Sequence, residues 1–119
     1  MSGKGGASRH QDLLAHMLGA IRLARSYVED LTKDAFLADT KTQQAVILMN
    51  IVIIGEAATQ LVAEYPEFAA RYPLIPWKQM RGMRNRMAHG YFEIDLNIVW
   101  DTIQTSLPEL ERQLLDVSA

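Results

Sequence analysis

The stretch Ala45-Val46-Ile47-Leu48-Met49-Asn50-Ile51-Val52-Ile53-Ile54 decides the fold, because it is apolar on every side apart from Asn50. Its branched side chains are also compatible with a β-strand, but its length and the helical patterns around it favour a helix. A helix that is apolar all round has to be covered on all sides. The stretch therefore predicts either the centre of a helical bundle or a subunit interface.

Apolar residues at helical spacing predict four long helices, over residues 9–31, 40–65, 76–89 and 96–117. Polar side chains that can bond free backbone groups mark the starts of three of them. These side chains are the pairs Ser8 with Gln11 and Thr40 with Gln43, and the single residue Asp95.

Two further residues are predicted to shape these helices. Gly90 suits the position after the third helix, where a positive φ is common, and Pro108 is predicted to kink the fourth. Together the patterns predict an all-α fold, a four- to five-helix up-and-down bundle. The apolar stretch further predicts that the bundle is homodimeric, because a lone small bundle would struggle to cover it.

The composition is that of one soluble globular domain. The chain has 119 residues, of which 49% are hydrophobic and 22% are charged. Residues 1–8 are rich in glycine and are predicted to be a flexible tail, which leaves residues 9–119 as a single domain. The chain has no cysteine, which excludes disulfides, thiolate nucleophiles and zinc sites built on sulfur.

The sequence predicts neither export nor membrane insertion. Its first residues lack the apolar region of a signal peptide, and the apolar stretch is about half as long as a membrane-spanning helix. The absence of cysteine is compatible with a reducing compartment. We therefore expect a cytoplasmic protein.

Positive charge is concentrated in one part of the chain. The formal net charge is −2, which excludes a uniformly basic nucleic-acid-binding surface. Between Glu67 and Glu93 there is no acidic residue, and the basic residues there are Arg71, Lys78, Arg81, Arg84, Arg86 and His89. Charge alone leaves two interpretations open: a solvated helix face favoured by the helix macrodipole, or a phosphate site, since arginine matches phosphate geometry.

The segment Arg84-Asn85-Arg86-Met87-Ala88-His89-Gly90-Tyr91 favours the phosphate site. Asn85 and His89 are four residues apart and share a helix face, and Arg84 and Tyr91 would share another if the helix continued. Histidine exchanges protons near neutral pH, whereas arginine stays protonated and can only bind an anion. Structural alternatives remain for each residue: a helix cap for His89, a local hydrogen bond for Asn85 and a half-buried ring for Tyr91.

A metal or cofactor site is not expected. His10 and His16 lie six residues apart, on different helix faces, and no H-E-x-x-H motif, paired carboxylate cluster or glycine-rich phosphate loop is present. Trp77 and Trp100 could stack on bases, but core packing is the preferred interpretation.

Glu56 is predicted to have a structural role. It follows Gly55 in an apolar segment, and a buried carboxylate needs a hydrogen-bonded or charged partner. We therefore expect Glu56 to pair with Arg81 or Arg84 and to hold the third helix in place, rather than to act as a catalytic acid.

The pattern R-N-x-x-x-H-x-Y at residues 84–91 resembles the R-x4-6-H motif of the HEPN superfamily, in the form found in HepT toxins of the MntA–HepT type. The resemblance extends over nearly the whole chain from about residue 9. The segments that carry it include Ile54-Gly55-Glu56-Ala57, Ile75-Pro76-Trp77, Gly82-Met83-Arg84-Asn85, Ile98-Val99-Trp100 and Leu107-Pro108-Glu109-Leu110.

This resemblance implies a HEPN-like bundle that dimerises and acts as a metal-independent endoribonuclease, with two motifs facing each other across the dimer. It implies catalytic roles for Arg84 and His89 and a supporting role for Asn85. It also implies a toxin that is neutralised by a minimal nucleotidyltransferase, which would add AMP to Tyr91. Lys78, Arg81 and Arg86 could then bind RNA phosphates. The alternative is a non-catalytic dimeric module that binds a nucleotide or a protein.

Overall fold

The structure is a computed structural model that describes the backbone of residues 5–118 and the side chains of residues 9–117. Within this part the chain forms six helices and no β-strand, so the predicted all-α class is confirmed. The helices are α1 (Gly5–Val28), α2 (Lys33–Leu37), α3 (Thr40–Glu64), α4 (Pro66–Arg71), α5 (Trp77–His89) and α6 (residues 96–118), with a short 3₁₀ turn at Tyr91–Glu93.

Helix α1 begins at Gly5, four residues earlier than predicted. Residues 5–8 are therefore helical, and Ser8 lies inside the helix instead of capping it. Glycine lowers helix stability by about 1 kcal/mol per residue but does not forbid a helix, so a glycine-rich segment does not by itself mark where a helix begins. The side chain of Ser8 and the whole of residues 1–4 lie outside the described residues.

The start of α3 is capped by Asp39, not by the predicted Thr40–Gln43 pair. The Asp39 carboxylate accepts hydrogen bonds from the backbone N–H of Thr42 at 3.1 Å and from its hydroxyl at 2.7 Å. Gln43 is buried and instead donates to the carbonyl oxygens of Phe36 and Leu37, at 2.9 and 3.0 Å. Gln43 therefore ties α2 to α3.

The other helix boundaries follow the sequence more closely. Asp95 caps α6 as predicted, with its carboxylate accepting from the backbone N–H of Asn97 at 2.9 Å. Gly90 ends α5, and its N–H donates to the carbonyl oxygen of Arg86 at 2.8 Å. Its φ is −135°, so the predicted positive φ is wrong. The helix closes through this hydrogen bond without a left-handed residue.

Two of the long helices contain a π-helical turn. In α6 the turn Thr102–Ser106 precedes Pro108, which has no N–H to donate to the preceding turn. In α3 the turn is Ile47–Ile51, and the buried side chain of Asn50 donates to the carbonyl oxygen of Ala45 at 3.0 Å. The disturbance predicted at Pro108 thus takes the form of a wider helical turn.

Helix α3 lies at the centre of the molecule, with α1 on one side and α5 on the other. It is 25 residues long, and by length and composition alone it could cross a membrane. One face of it is nevertheless buried in the protein core against its neighbours, as expected of a core helix. The residues on this inner face are Val46, Ile47, Asn50, Ile51, Ile54, Ala57, Ala58 and Leu61.

The opposite face of α3 is also apolar and is open to solvent. Leu48, Met49 and Ile53 are 46%, 60% and 40% exposed, and Val52 is half-buried beside them. Of the two interpretations that the sequence left open, complete burial of this helix within a single chain is therefore not what the described residues show. Helix α3 has two apolar faces, and the chain itself covers one of them.

Candidate functional site

Helix α5 carries most of the candidate site and is held firmly at its start. Trp77 donates its indole N–H to the carbonyl oxygens of Ala69 and Tyr72, at 3.1 and 3.2 Å. Met80 and Met87 are buried and fix one face of the helix to the core. The remaining faces are available for polar and charged side chains.

Close approach of α5 to α3 depends on Gly55. A Cβ atom added at this glycine would lie 2.7 Å from the carbonyl oxygen of Met80 and closer still to the Cβ atom of Arg84. Real Cβ atoms essentially never come this close to other atoms. The absence of a side chain at Gly55 therefore brings Arg84 directly against α3.

The guanidinium of Arg84 lies between two polar residues of α3. Its Nη2 donates to Thr59 Oγ1 at 3.4 Å, and its Nε lies 3.5 Å from Glu56 Oε1, close enough for an ion pair. The Thr59 hydroxyl donates to the carbonyl oxygen of Gly55 at 2.8 Å. This leaves the lone pairs of Thr59 Oγ1 facing Arg84.

Most donors of Arg84 are left for other partners. A guanidinium has five N–H donors, and among the described residues one of them makes a hydrogen bond. Nε is buried without a hydrogen bond, and its nearby charge is the Glu56 carboxylate. The side chain of Arg84 is 22% exposed, so part of it is open to solvent.

Glu56 contacts Arg84, which is one of the two partners that the sequence suggested. The premise of that prediction was wrong, because the Glu56 side chain is 51% exposed and not buried. Its Oε2 also accepts from Gln60 Nε2 at 3.3 Å. Glu56 lies three residues after Ile53, on the continuation of the exposed apolar face of α3.

His89 lies in a groove on another side of α5. The groove has a volume of about 600 Å³, and its polar residues are Asn85, Arg86, His89, Glu93 and Asp95. Among the residues the structure describes, its lining includes neither Arg84 nor Tyr91. The charge in the groove is mixed and not uniformly basic.

The separation of Arg84 from His89 follows from helix geometry. Residues five positions apart in an α-helix point about 140° apart around its axis, and helix α5 includes both residues. Arg84 therefore faces α3, while Asn85 and His89 face the groove. One chain does not bring the two halves of the motif together.

Tyr91 lies beyond the end of α5, in the 3₁₀ turn. The helix ends at His89, so the condition under which Arg84 and Tyr91 would share a helical face is not met. The Tyr91 ring is half-buried, packs against the core, and contacts the Phe92 ring at 5.7 Å with the two planes nearly perpendicular.

Lys78 and Arg81 line a separate shallow cavity of about 280 Å³, together with Trp77 and Thr59. Because Thr59 also contacts Arg84, this cavity borders the Arg84 side of α5. The three cations suggested for RNA phosphates are thus divided between two surfaces, with Arg86 in the groove. All three are exposed.

Trp77 and Trp100 are used in packing, as expected. The Trp77 ring lies 6.5 Å from the ring of Phe68, and its N–H is already bonded to the backbone. Trp100 lies 5.4 Å from the ring of Phe36, which is fully buried.

The sequence did not identify three parts of this site. Thr59 could have been found from its position four residues after Gly55, which places it on the helix face that meets α5. Glu93 ends the acid-free segment and Asp95 caps α6, and both residues also line the groove.

No group of three or more histidine, aspartate or glutamate side chains is placed to hold a metal ion within the described residues. The polar side chains around Arg84 and His89 are those of arginine, asparagine, threonine, glutamate and aspartate. Such groups can bind an anion and transfer protons.

Comparisons with known proteins agree on one family. The model of the family described as "Ribonuclease HepT-like" matches residues 17–117. A protein of Thermococcus cleftensis named "Probable ribonuclease HepT" is 34% identical over 86% of this chain and 89% of its own length. No solved structure matches the chain.

Two further relatives carry ribonuclease names. One from Methanocaldococcus jannaschii, named "Putative RNase", is 36% identical over 89% of this chain and 84% of its own length. Another with that name, from Caldanaerobacter subterraneus subsp. tengcongensis, is 32% identical over 87% of this chain and 89% of its own length.

Proposed function

Because the chain belongs to the HepT-like ribonuclease family, we propose that it is a metal-independent endoribonuclease that uses Arg84 and His89. The family supports a ribonuclease function and an RNA substrate. The side chains of the site supply what RNA cleavage requires, namely a group that exchanges protons and a cation for the phosphate.

RNA carries its own nucleophile, the 2′-hydroxyl. In the proposed reaction His89 accepts the proton of this hydroxyl as its oxygen attacks the adjacent phosphorus. Arg84 binds the phosphate and stabilises the negative charge that develops on its oxygens. The bond to the 5′-oxygen breaks, that oxygen takes up a proton from water, and His89 releases its proton to the solvent. The products are a 2′,3′-cyclic phosphate and a 5′-hydroxyl.

One observation carries the proposal of a composite site: Arg84 and His89 lie on different sides of α5. We propose that two chains form a dimer through the exposed apolar face of α3, made of Leu48, Met49, Val52 and Ile53. This face continues to Glu56 and so to Arg84. A second copy seated on it would bring its own motif beside Arg84 of the first.

The other polar residues of α5 have supporting roles in this proposal. Asn85 shares the groove with His89 and would orient the imidazole or the phosphate. Arg86, Lys78 and Arg81 would contact RNA phosphates on either side of the cleavage site. Binding should then weaken as salt rises, because each phosphate contact releases counterions.

We further propose that the chain is the cytoplasmic toxin of a toxin–antitoxin pair whose antitoxin is a minimal nucleotidyltransferase. The antitoxin would catalyse attack of the Tyr91 hydroxyl on the α-phosphate of ATP. This step releases pyrophosphate and leaves AMP on the tyrosine. Tyr91 directly follows Gly90, which lines the His89 groove. The added phosphate and nucleoside would bring negative charge and bulk beside Arg86 and exclude RNA.

The test is incubation of the purified chain with single-stranded RNA in EDTA, beside the Arg84→Ala and His89→Ala variants. We expect cleavage by the wild-type chain, products ending in a 2′,3′-cyclic phosphate or 3′-phosphate, and little cleavage by either variant. Loss of wild-type cleavage in EDTA, with recovery on addition of a divalent cation, would contradict the metal-independent mechanism. Full cleavage by His89→Ala would exclude the role given to His89.

The antitoxin proposal has its own test, the intact mass of the chain after co-expression with a neighbouring nucleotidyltransferase. We expect a mass increase that maps to Tyr91 and is absent from Tyr91→Phe. Neutralisation without any mass change would show that the antitoxin acts by binding alone.

A further inference from the structure

Phe92 is almost completely exposed, with 98% of its surface accessible to solvent. A single exposed apolar residue is common on protein surfaces and needs no explanation by itself. Phe92, however, lies in the turn that directly follows helix α5, three residues after His89. This position, close to the groove that contains His89, distinguishes Phe92 from the other exposed apolar residues.

The exposure of Phe92 is built into a hydrogen-bonded turn. Within it, the N–H of Glu93 donates to the carbonyl oxygen of Gly90 at 2.9 Å, and the N–H of Ile94 donates to that of Tyr91 at 3.3 Å. In a 3₁₀ turn successive side chains point about 120° apart. Tyr91 packs inward against the core, so Phe92 is directed outward.

The ring of Phe92 is supported on one side and open elsewhere. It meets the half-buried ring of Tyr91 at 5.7 Å, with the planes at 80°. Gly90 and Glu93, on either side in sequence, both line the groove that contains His89. Phe92 thus stands at the rim of this groove as a flat apolar surface with few degrees of freedom.

We propose that Phe92 stacks on a nucleobase of the RNA next to the bond that is cleaved. The inference rests on the proposed ribonuclease function and adds a residue that positions the substrate. A nucleobase fits this place because its face is apolar while its phosphate and sugar are polar. The groove beside the ring offers Arg86, Asn85 and His89 to those polar parts.

Stacking has a signature that distinguishes it from phosphate binding. Contact between a base and an aromatic ring involves no counterion release, so its contribution to affinity does not depend on salt. It also requires the base itself. A phosphate contact made by Lys78, in contrast, weakens as the salt concentration rises and does not require a base.

The experiment measures binding of a fluorescein-labelled single-stranded RNA of about twenty nucleotides, which exceeds the usual site size of roughly 4–16 nucleotides. Every variant is made in a His89→Ala background so that the RNA stays intact. We expect Phe92→Ala to weaken binding by about five- to a hundred-fold, and by the same factor at low and high salt. Phe92→Trp should retain the affinity.

Two controls accompany these variants. Leu74 is 87% exposed and lies outside the site, between α4 and α5, so Leu74→Ala should bind as tightly as the parent. Lys78→Ala should reduce the slope of log affinity against log salt concentration by about one in magnitude. An abasic sugar–phosphate chain of the same length should bind equally with and without the Phe92→Ala change.

Several results would overturn the inference. Equal RNA affinity of Phe92→Ala and its parent would do so, as would a loss that the abasic chain shows to the same extent. Unchanged RNA affinity together with loss of the nucleotidyltransferase complex would assign Phe92 to protein binding instead. If the wild-type chain cleaves RNA in these cases, the proposed function stands and Phe92 alone is wrongly assigned; if it neither binds nor cleaves RNA, both fail.

Discussion

The two sides of helix α5 hold the two halves of one motif in different ways. On one side Arg84 packs against α3, where Gly55 admits it and Glu56 and Thr59 contact its guanidinium. On the other side His89 lies exposed in an open groove. Arg84 therefore has structural contacts in addition to the catalytic role proposed for it, whereas the exposed side chain of His89 is accessible for its proposed role.

The largest effect expected from this comparison is loss of cleavage in His89→Ala. Removal of a general acid–base group lowers a rate by about 10²- to 10⁴-fold, while an exposed surface substitution changes stability by less than about 0.5 kcal/mol. Arg84→Ala should lower both the cleavage rate and the stability, because it also removes contacts with α3. RNA cleavage on gels and urea unfolding of the same preparations measure the two quantities; a large stability loss in His89→Ala would contradict the distinction.

Gly55→Ala should produce the largest loss of stability, about 2–4 kcal/mol, because the new Cβ atom would overlap the backbone of α5. Thermal or urea unfolding measures it. Gly82→Ala is the matched control, since a Cβ atom at this position of α5 meets nothing within 4 Å. Gly82→Ala should be neutral or stabilising by up to about 1 kcal/mol, and equal behaviour of the two variants would mean that the helices are not in close contact at Gly55.

Two glutamates that pair with arginine, Glu111 and Glu56, differ in how far they are exposed to solvent. Glu111 of α6 is 15% exposed and pairs with Arg22 and Arg25 of α1. The hydrogen bond from Arg22 is the main cause of the lowered pKa of Glu111; burial opposes it, and Arg25 lowers the pKa further. The ionised carboxylate therefore stabilises the folded state above the pKa that a glutamate has in the unfolded chain, and this contribution is lost as the pH falls through the lowered pKa.

Glu111→Gln should accordingly lower the free energy of unfolding by about 1 kcal/mol at neutral pH. The difference from the wild-type chain should shrink as the pH falls below about 4.3, the ordinary pKa of a glutamate, and through the lowered pKa of Glu111. Urea unfolding across this range measures it. A difference that is constant with pH would show that the ion pairs do not supply the stability.

Glu56→Gln is expected to have the smallest effect on stability, below about 0.5 kcal/mol, because the carboxylate is half exposed. Its effect on RNA should be visible, since loss of the negative charge leaves Arg84 less neutralised and less well oriented. A changed KM for RNA with unchanged urea unfolding would support this. A stability loss as large as that of Glu111→Gln would contradict the view that Glu56 acts on the site rather than on the fold.

Local sequence patterns predicted much of the fold. The end of α5 at His89, the cap at Asp95 and the apolar character of α3 all depend on residues close in sequence, which is why they could be found. The cap of α3 was misplaced by one residue, because Thr40 and Asp39 both have side chains that can cap. The early start of α1 was missed since glycines only weaken a helix.

The arrangement of the site was less predictable, because it depends on contacts between helices. The motif identified Arg84 and His89, but the direction of Arg84 is set by Gly55 and Thr59, about 25 to 29 residues away on α3. The exposed outer face of α3 could not be separated from its buried inner face, since both consist of branched and long apolar residues. Burial on one side only is a property of the packed chain.

The composite site is tested most directly by mixing two inactive variants. Arg84→Ala and His89→Ala chains are mixed in equal amounts under conditions that allow subunits to exchange, and RNA cleavage is measured. If each site takes Arg84 from one chain and His89 from the other, half of the dimers are mixed and each of these has one intact site of two, so about one quarter of wild-type activity returns. If both variants form mixed dimers and the mixture stays as inactive as its components, the two residues do not act across a dimer.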